Sequence, residues 1–308
     1  GHEIHLSCSA GISLFPDDGD SADTLLKNAS TALYHAKLQG QNNYQFYNEK
    51  LNRDSLENLK LENDLRHAIE RNELDLHYQP KIDLASGKVN SVEALVRWRH
   101  PEIGMIPPGE FIPIAEKTGL ITSLGYWILD TACRQIREWQ DAGYDQLTVA
   151  VNLSAIQFRQ TDLLEEILNT LEATGICAHQ LELEITESTI MDDIDTASST
   201  MRALHCSGIH ISIDDFGTGY SSLSHLKRFP INTVKIDRSF IRDITTDSDD
   251  AAIVGAIIAM AHNMGLKVIA EGVETQQQLD FLYSLQCDEV QGFLFSPPVP
   301  HHEASDLL

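Results

Sequence analysis

The chain has 308 residues, is 42% hydrophobic, and carries 46 acidic against 22 basic side chains, a formal net charge of −24. The length allows one large domain or two smaller ones. The acidic balance argues against a sequence-independent binder of DNA or RNA polymers, which needs Lys and Arg to neutralise phosphates. It leaves room for a small anionic ligand covered by cations or a few local Arg and Lys.

Cys8, Cys133, Cys177, Cys206 and Cys287 are scattered, odd in number and form no C-x-x-C. That pattern predicts reduced, mostly buried thiols in a cytoplasmic protein. No apolar run approaches the roughly 20 residues of a membrane span, and no signal peptide is visible, so no membrane contact is expected from these residues. The chain opens on Gly1 in mid-pattern and reads as an excised fragment, which leaves a membrane anchor on its parent open.

In chain order, residues 4–15 (IHLSCSAGISLF) predict a strand and PDDGD a turn. Residues 21–38 carry apolar side chains at helical spacing, with Gly40 as the stop. One strand and one helix cannot bury a core alone, so residues 1–47 are expected to be the end of a larger domain. Residues 48–72 are charged and helical and predict a linker into a main domain over 73–308.

From Leu74 onward short strand-like runs alternate with helical segments. The runs are LDLHYQP (74–80), NSVEALVRW (90–98), TVAVNLS (148–154), LELEITE (181–187), HISIDDF (210–216), TVKID (233–237), KVIAEGVE (267–274) and EVQGF (289–293). LGYWILDTACRQIREWQ and DDAAIVGAIIAMAHNMG are helices between them. The alternation predicts an α/β fold, a TIM-like (β/α)8 barrel. The first connection, KIDLASGK, is too short and turn-rich for a helix. It predicts a hairpin, with the first strand antiparallel to the second.

Strand alternation then sorts the faces. Val149, Val151 and Leu153 oppose Ala150 and Asn152. Ile211 and Ile213 oppose Ser212 and Asp214. Val234 and Ile236 oppose Lys235, and Leu183 and Ile185 oppose Glu184. The bulky face should meet the outer helices and the small-then-polar face should line the barrel. The polar residue sits near each strand's C-terminal end, where barrel enzymes place their chemistry.

Closing the barrel gathers Glu93, Asn152, Glu184, Asp214, Asp215, Lys235, Glu271 and Gln291 at one mouth. Carboxylates so gathered repel one another unless some are protonated or divalent cations neutralise them. All-oxygen ligands favour Mg²⁺ or Mn²⁺. The Asp214–Asp215 pair suggests two ions, roughly 3.5–4 Å apart, of the kind that activate water and stabilise a leaving oxygen in phosphodiester hydrolysis. Lys235 is read as orienting the attacking water rather than deprotonating it. Glu182 shares the parity of Glu184 and should lie deeper. Each residue taken singly has a bland reading as a solvated loop or turn; matched parity at successive strand ends does not. His100, His205, His210 and His225 show no ligand spacing and read as core or surface. GTGYSS (217–222) fits neither a P-loop nor a G-x-S-x-G elbow. Gly217 and Gly219 permit a tight, mobile loop over the site instead.

These residues resemble the EAL-domain cyclic di-GMP phosphodiesterases of bacterial signalling. EALVRW (93–98), NLS (152–154), ELEITES (182–188), DDFGTGYSS (214–222), VKID (234–237), EGVE (271–274) and QGFLFSPP (291–298) match in order across residues 74–300. SAGIS (9–13) and ALYHAKLQGQNN (32–43) resemble the tail of a GGDEF diguanylate cyclase domain. The GGDEF signature itself is absent, so no cyclase activity is expected of this segment, and a tandem GGDEF–EAL parent is implied. The resemblance implies that Glu93, Asn152, Glu184 and Asp214 ligate one metal, that Asp214, Asp215 and Glu271 serve the second, and that Lys235 stands on the catalytic water. It implies that Gln79, Arg97, Gln291 and Glu274 contact the dinucleotide and that Glu187 ties down the DDFGTGYSS loop. It further implies a homodimer through that loop and the helix after Asp215, with Mg²⁺ or Mn²⁺ as cofactor and Ca²⁺ as inhibitor. Two rival readings stand beside the enzyme: a catalytically silent cyclic di-GMP receptor, and a dimerising scaffold. A weaker rival is a metal-dependent phosphodiesterase for linear dinucleotides.

Overall fold

The computed structural model describes residues 8–38, 42–191, 193–219 and 226–308. Residues 4–7 of the first expected strand, the Gly40 stop, Tyr220 to Ser222 of the expected loop, most of the helix expected after it, and His225 lie outside these. The chain forms two compact units, residues 1–67 and 68–308. In the first, short parallel strands β1 (Ala10–Ile12) and β2 (Tyr44–Phe46) pair, joined through a helix over Ala22–Leu38. The charged segment forms a helix over Glu49–Ala68 that ends at the boundary between the units.

The second unit is a barrel. Its strands are β3 (Leu74–Asp83), β4 (Val89–His100), β6 (Thr148–Asn152), β7 (Leu181–Thr186), β8 (His210–Phe216), β9 (Thr233–Ile236), β10 (Lys267–Glu271) and β11 (Glu289–Gln291). Two short strands, β5 (Gly104–Ile106) beside β4 and β12 (Val299–Pro300) beside β3, were not foreseen from sequence. Neighbours run β3-β11-β10-β9-β8-β7-β6-β4, and β3 pairs back onto β4, which closes the sheet. The barrel strands β4, β6, β7, β8, β9, β10 and β11 are mutually parallel, whereas β3 is antiparallel to both of its barrel neighbours. The antiparallel first strand is thus as expected, and its cause is the tight turn after Asp83, where Gly87 adopts a left-handed φ of 69°.

β-branched outward residues seat the helices. Val149, Ile211 and Val234 are fully buried beneath them. The helix Ile121–Asp141 buries Leu124, Ile128, Ala132, Ile136 and Trp139 on one stripe at helical spacing. Each large apolar side chain so buried contributes about 1.5–3 kcal/mol. Three of the five cysteines, Cys8, Cys177 and Cys206, are exposed, and only Cys133 and Cys287 are buried, which corrects the expectation of mostly buried thiols. Each exposed cysteine lies in a loop or at a helix end, where no core faces it. All five are free thiols. Among the described residues no helix is long and apolar enough to cross a membrane.

Candidate active site

Register fixes the depth of each inward side chain. Gln79 stands opposite Glu93, Glu93 beside Ala150, Asn152 beside Glu184, and Glu271 beside Gln291. Glu93, Glu184, Lys235 and Gln291 are buried polar residues in a ring below the C-terminal mouth. Lys235, 1% exposed, is the hub. Its Nζ lies 2.6 Å from Glu184 Oε2, 2.6 Å from Glu271 Oε1, 3.1 Å from Asp214 Oδ1 and 3.6 Å from Glu93 Oε2. Asn152 donates to Glu93 Oε1 at 2.6 Å, and Gln291 donates to Glu93 Oε2 at 2.7 Å and to Gln79 Oε1 at 2.9 Å.

The two aspartates come together through a backbone irregularity. In a regular strand Asp214 and Asp215 would point to opposite faces. The β8–β9 register shifts between Ile213 and Phe216, and Asp215 adopts a left-handed φ of 53°. A bulge of this kind re-aims a side chain. Oxygens of Asp214, Asp215 and Glu271 consequently lie within 4.8 Å of one another, in a disposition that could hold a cation.

Charge is distributed unevenly over this cluster. Burial pushes the Glu271 carboxyl up to about 8, Lys235 opposing and Asp214 and Glu93 adding to the rise. Burial and the neighbouring Asp214 push Asp215 up to about 6, and Asp237 shares a hydrogen bond with it. Burial, then the Glu184 charge, raises Glu93. Glu184 goes the other way: burial opposes its charge, but Lys235 and Lys81 outweigh it and bring the carboxyl down to about 2. Burial likewise opposes the Lys235 charge and is outweighed by Glu184, Glu271 and Glu93, so the ammonium is held protonated.

The residues present suit divalent cations. The donors are oxygens only, acids outnumber the cations near them, and Asp214 Oδ1 is buried without a hydrogen bond despite its proximity to Lys235. Glu93, Asn152, Glu184, Asp214, Asp215 and Glu271 are the groups able to hold such ions.

Above them opens a cleft of about 250 Å³ lined by Gln79, Glu93, Asp214, Glu271, Glu274 and Gln291, among others. Gln79 is fixed by donation to the Ser296 carbonyl at 3.0 Å. Gln291 Oε1 is buried and unpartnered. Gly292 lets the Val273 backbone approach so closely that any Cβ there would overlap it, which brings the loop carrying Glu274 against the strand end of Gln291. Arg97 does not line the cleft. It is half-buried, stands opposite Asp75 and donates to the Val96 carbonyl at 2.8 Å. Glu187 accepts the Gly217 amide at 3.1 Å. His205 and His210 are exposed, and buried His100 accepts backbone amides of the following turn, so none of the three touches the site.

Sequence reading missed Lys81, Arg238 and Phe293. The last two line the cleft from loops whose direction no periodicity reveals. Lys81 was assigned to the hairpin connection, yet it lies on β3, 1% exposed. Its signal was parity with Gln79: on an antiparallel strand the residues after Gln79 descend into the barrel. Lys81 supplies the missing partner of Glu182, at 3.6 Å, with Ser212 donating to the same carboxylate.

The family described as "EAL domain" matches residues 62–298, and "Diguanylate cyclase, GGDEF domain" matches residues 1–43. The chain is 50% identical over 299 residues to the bifunctional diguanylate cyclase/cyclic di-GMP phosphodiesterase MucR of Pseudomonas aeruginosa, covering 97% of this chain and 44% of that protein. It is 41% identical to the cyclic di-GMP phosphodiesterase PdeR of Escherichia coli, covering 97% of this chain and 45% of that protein. The chain thus spans under half the length of these curated relatives. Among solved structures, the MucR phosphodiesterase in complex with c-di-GMP is similar at a TM-score of 0.78 and 51% identity, over 80% of this chain and 99% of that one.

Proposed function

The chain belongs to the EAL domain family, and we propose that it hydrolyses one phosphodiester of cyclic di-GMP to linear pGpG with the help of two divalent cations. The observation that carries this reading is the convergence of Asp214, Asp215 and Glu271 beside Glu93, Glu184 and Asn152 at the C-terminal mouth of the barrel. The likeness to MucR and PdeR, whose names state a cyclic di-GMP phosphodiesterase, supports it.

Mg²⁺ or Mn²⁺ bound here would supply Lewis acidity and a water of lowered pKa. Glu93, Asn152, Glu184 and Asp214 would hold one such ion, and Asp214, Asp215 and Glu271 would hold the second. Lys235, kept as an ammonium, donates a hydrogen bond that orients the attacking water and does not take its proton. Gln79, Gln291 and Glu274 would meet the dinucleotide from the cleft wall, and Arg97, half-buried on the strand that carries Glu93, would pair with a phosphate. Glu187 holds the turn at Gly217 and Gly219. The loop and helix after Asp215 form a homodimer contact, and the protein works in the cytoplasm. Ca²⁺ inhibits, because its looser coordination fits the two-ion geometry poorly.

The test is chromatography of cyclic di-GMP after incubation with the chain and Mg²⁺, beside Glu93→Ala. Appearance of pGpG with the intact chain alone supports the reading. Bound but unhydrolysed cyclic di-GMP would make the protein a receptor, and neither binding nor turnover would leave it a scaffold.

A further inference from the structure

Both oxygens of Glu184 are engaged, each by a different lysine. Oε2 lies 2.6 Å from Lys235 Nζ, and Oε1 lies 2.8 Å from Lys81 Nζ. The two lysines are not equivalent. Lys235 is shared among four carboxylates, three of them, Glu93, Asp214 and Glu271, bordering the cleft. Among the described residues Lys81 forms ion pairs with Glu184 and Glu182 alone, and its side chain and that of Glu184 are both 0% exposed. It enters from beneath, on the one strand that runs against the others, just where the β3–β4 register shifts between Lys81 and Ile82. The barrel encloses this lysine, and among the described residues its ion pairs are those with Glu184 and Glu182.

Oε1 of Glu184 is therefore committed below, and the carboxylate offers a single oxygen upward. That restriction discriminates between cations. Mg²⁺ demands near-ideal octahedral geometry from single oxygens, whereas Ca²⁺ readily takes both oxygens of one carboxylate and a larger coordination number. We propose that Lys81 is a positioning residue that sets the metal preference of the site by keeping Glu184 a one-oxygen ligand. The proposal rests on the reading above that Glu184 ligates a metal ion.

The readout must separate this from plain electrostatics. Removing a buried cation makes the site more negative and strengthens binding of Mn²⁺ and Ca²⁺ alike. Only a change in ligation mode alters the ratio of the two affinities. The experiment is isothermal titration of the full chain with Mn²⁺ and, separately, with Ca²⁺, for the unmodified protein, Lys81→Met and Glu182→Gln. The double variant Lys81→Met/Glu182→Gln removes one buried acid together with the cation, and so keeps the barrel interior charge-balanced if the single variant does not fold. The expected result is a rise in the Ca²⁺-to-Mn²⁺ affinity ratio of roughly tenfold or more in both Lys81 variants, the size that outer partners of metal ligands command. Glu182→Gln alone should leave the ratio in place. An unchanged ratio in the Lys81 variants, with Mn²⁺ still bound by the unmodified chain, overturns this proposal and spares the metal reading. Failure of the unmodified chain to bind Mn²⁺ overturns both.

Discussion

The backbone N–H of Gly217 donates to Glu187 Oε2 across 3.1 Å, which ties the turn following the two aspartates to the first residue after β7. Gly217 holds a left-handed φ of 99°, and a Cβ at Gly219 would stand 2.5 Å from Glu187 Oε1. One carboxylate thus occupies the space left by one glycine and takes the amide of another. Asp214 and Asp215 directly precede this turn, so its geometry is theirs.

Glu187→Ala should accordingly lower turnover on the order of 10–100-fold while leaving the barrel folded, as expected for the loss of an outer partner of metal ligands. Gly219→Ala should act in the same direction by displacing the Glu187 carboxylate. Steady-state kinetics beside far-ultraviolet circular dichroism checks both. Full activity in both variants would remove the turn from the mechanism.

Glu93→Ala should reduce hydrolysis by at least about 10²–10³-fold, the range seen when a preorganised electrostatic contact is lost. It also strands the Asn152 and Gln291 amides that now donate to the carboxylate. Glu93→Gln should keep more of the fold and as little of the activity. Product chromatography and thermal melts separate the two effects.

Lys235→Met should destabilise the metal-free chain by about 3–5 kcal/mol, since it leaves buried carboxylates without their cation. Saturating Mn²⁺ should restore much of that loss, because a divalent ion can stand in for the missing charge, yet hydrolysis should stay absent. Urea midpoints with and without Mn²⁺, read beside an activity assay, decide it. Stability unaffected by the substitution would refute the hub role of Lys235.

Metal-free stability should fall as pH rises. Glu271 is held up to about 8 and Asp215 up to about 6, both above ordinary carboxyl values. A raised carboxyl contributes stability that is complete below its unfolded value and lost as pH climbs through its folded value. Glu184, brought down to about 2, has the opposite sign but titrates only in strong acid. The urea midpoint should therefore drop between about pH 5 and about pH 8, and Glu271→Gln should flatten the drop. Mn²⁺ should flatten it too, by taking the place of the protons.

Much of this site was legible in the chain because period-2 alternation is a local property. Ala150 and Asn152, Ser212 and Asp214, and Lys235 could be assigned to the inner face from their neighbours alone. The hairpin after Asp83 was legible for the same reason: KIDLASGK has too few residues for a crossover helix. Lys81 was not legible, since Pro80 and the turn-rich run after it read as the start of the connection, whereas pairing with β4 carries β3 on to Asp83 and Lys81 with it into the barrel. Arg97 shows a similar limit, for parity with Glu93 gives its face on β4 but not its hydrogen-bond partner, the Val96 carbonyl.

The sequence by itself determined the strand and helix order, the inward set of acids and their collection at one end, because spacing within each strand dictates face and position. Tertiary structure alone decided that Asp215 joins Asp214 on the same side, because a bulge and a left-handed φ override the parity that separates adjacent residues. It alone decided the charges these groups carry. Glu184 and Glu271 have the same side chain, yet one carboxyl sits at about 2 and the other at about 8. Two lysines embrace the first and one reaches the second, and only the closed barrel brings those partners within 3 Å.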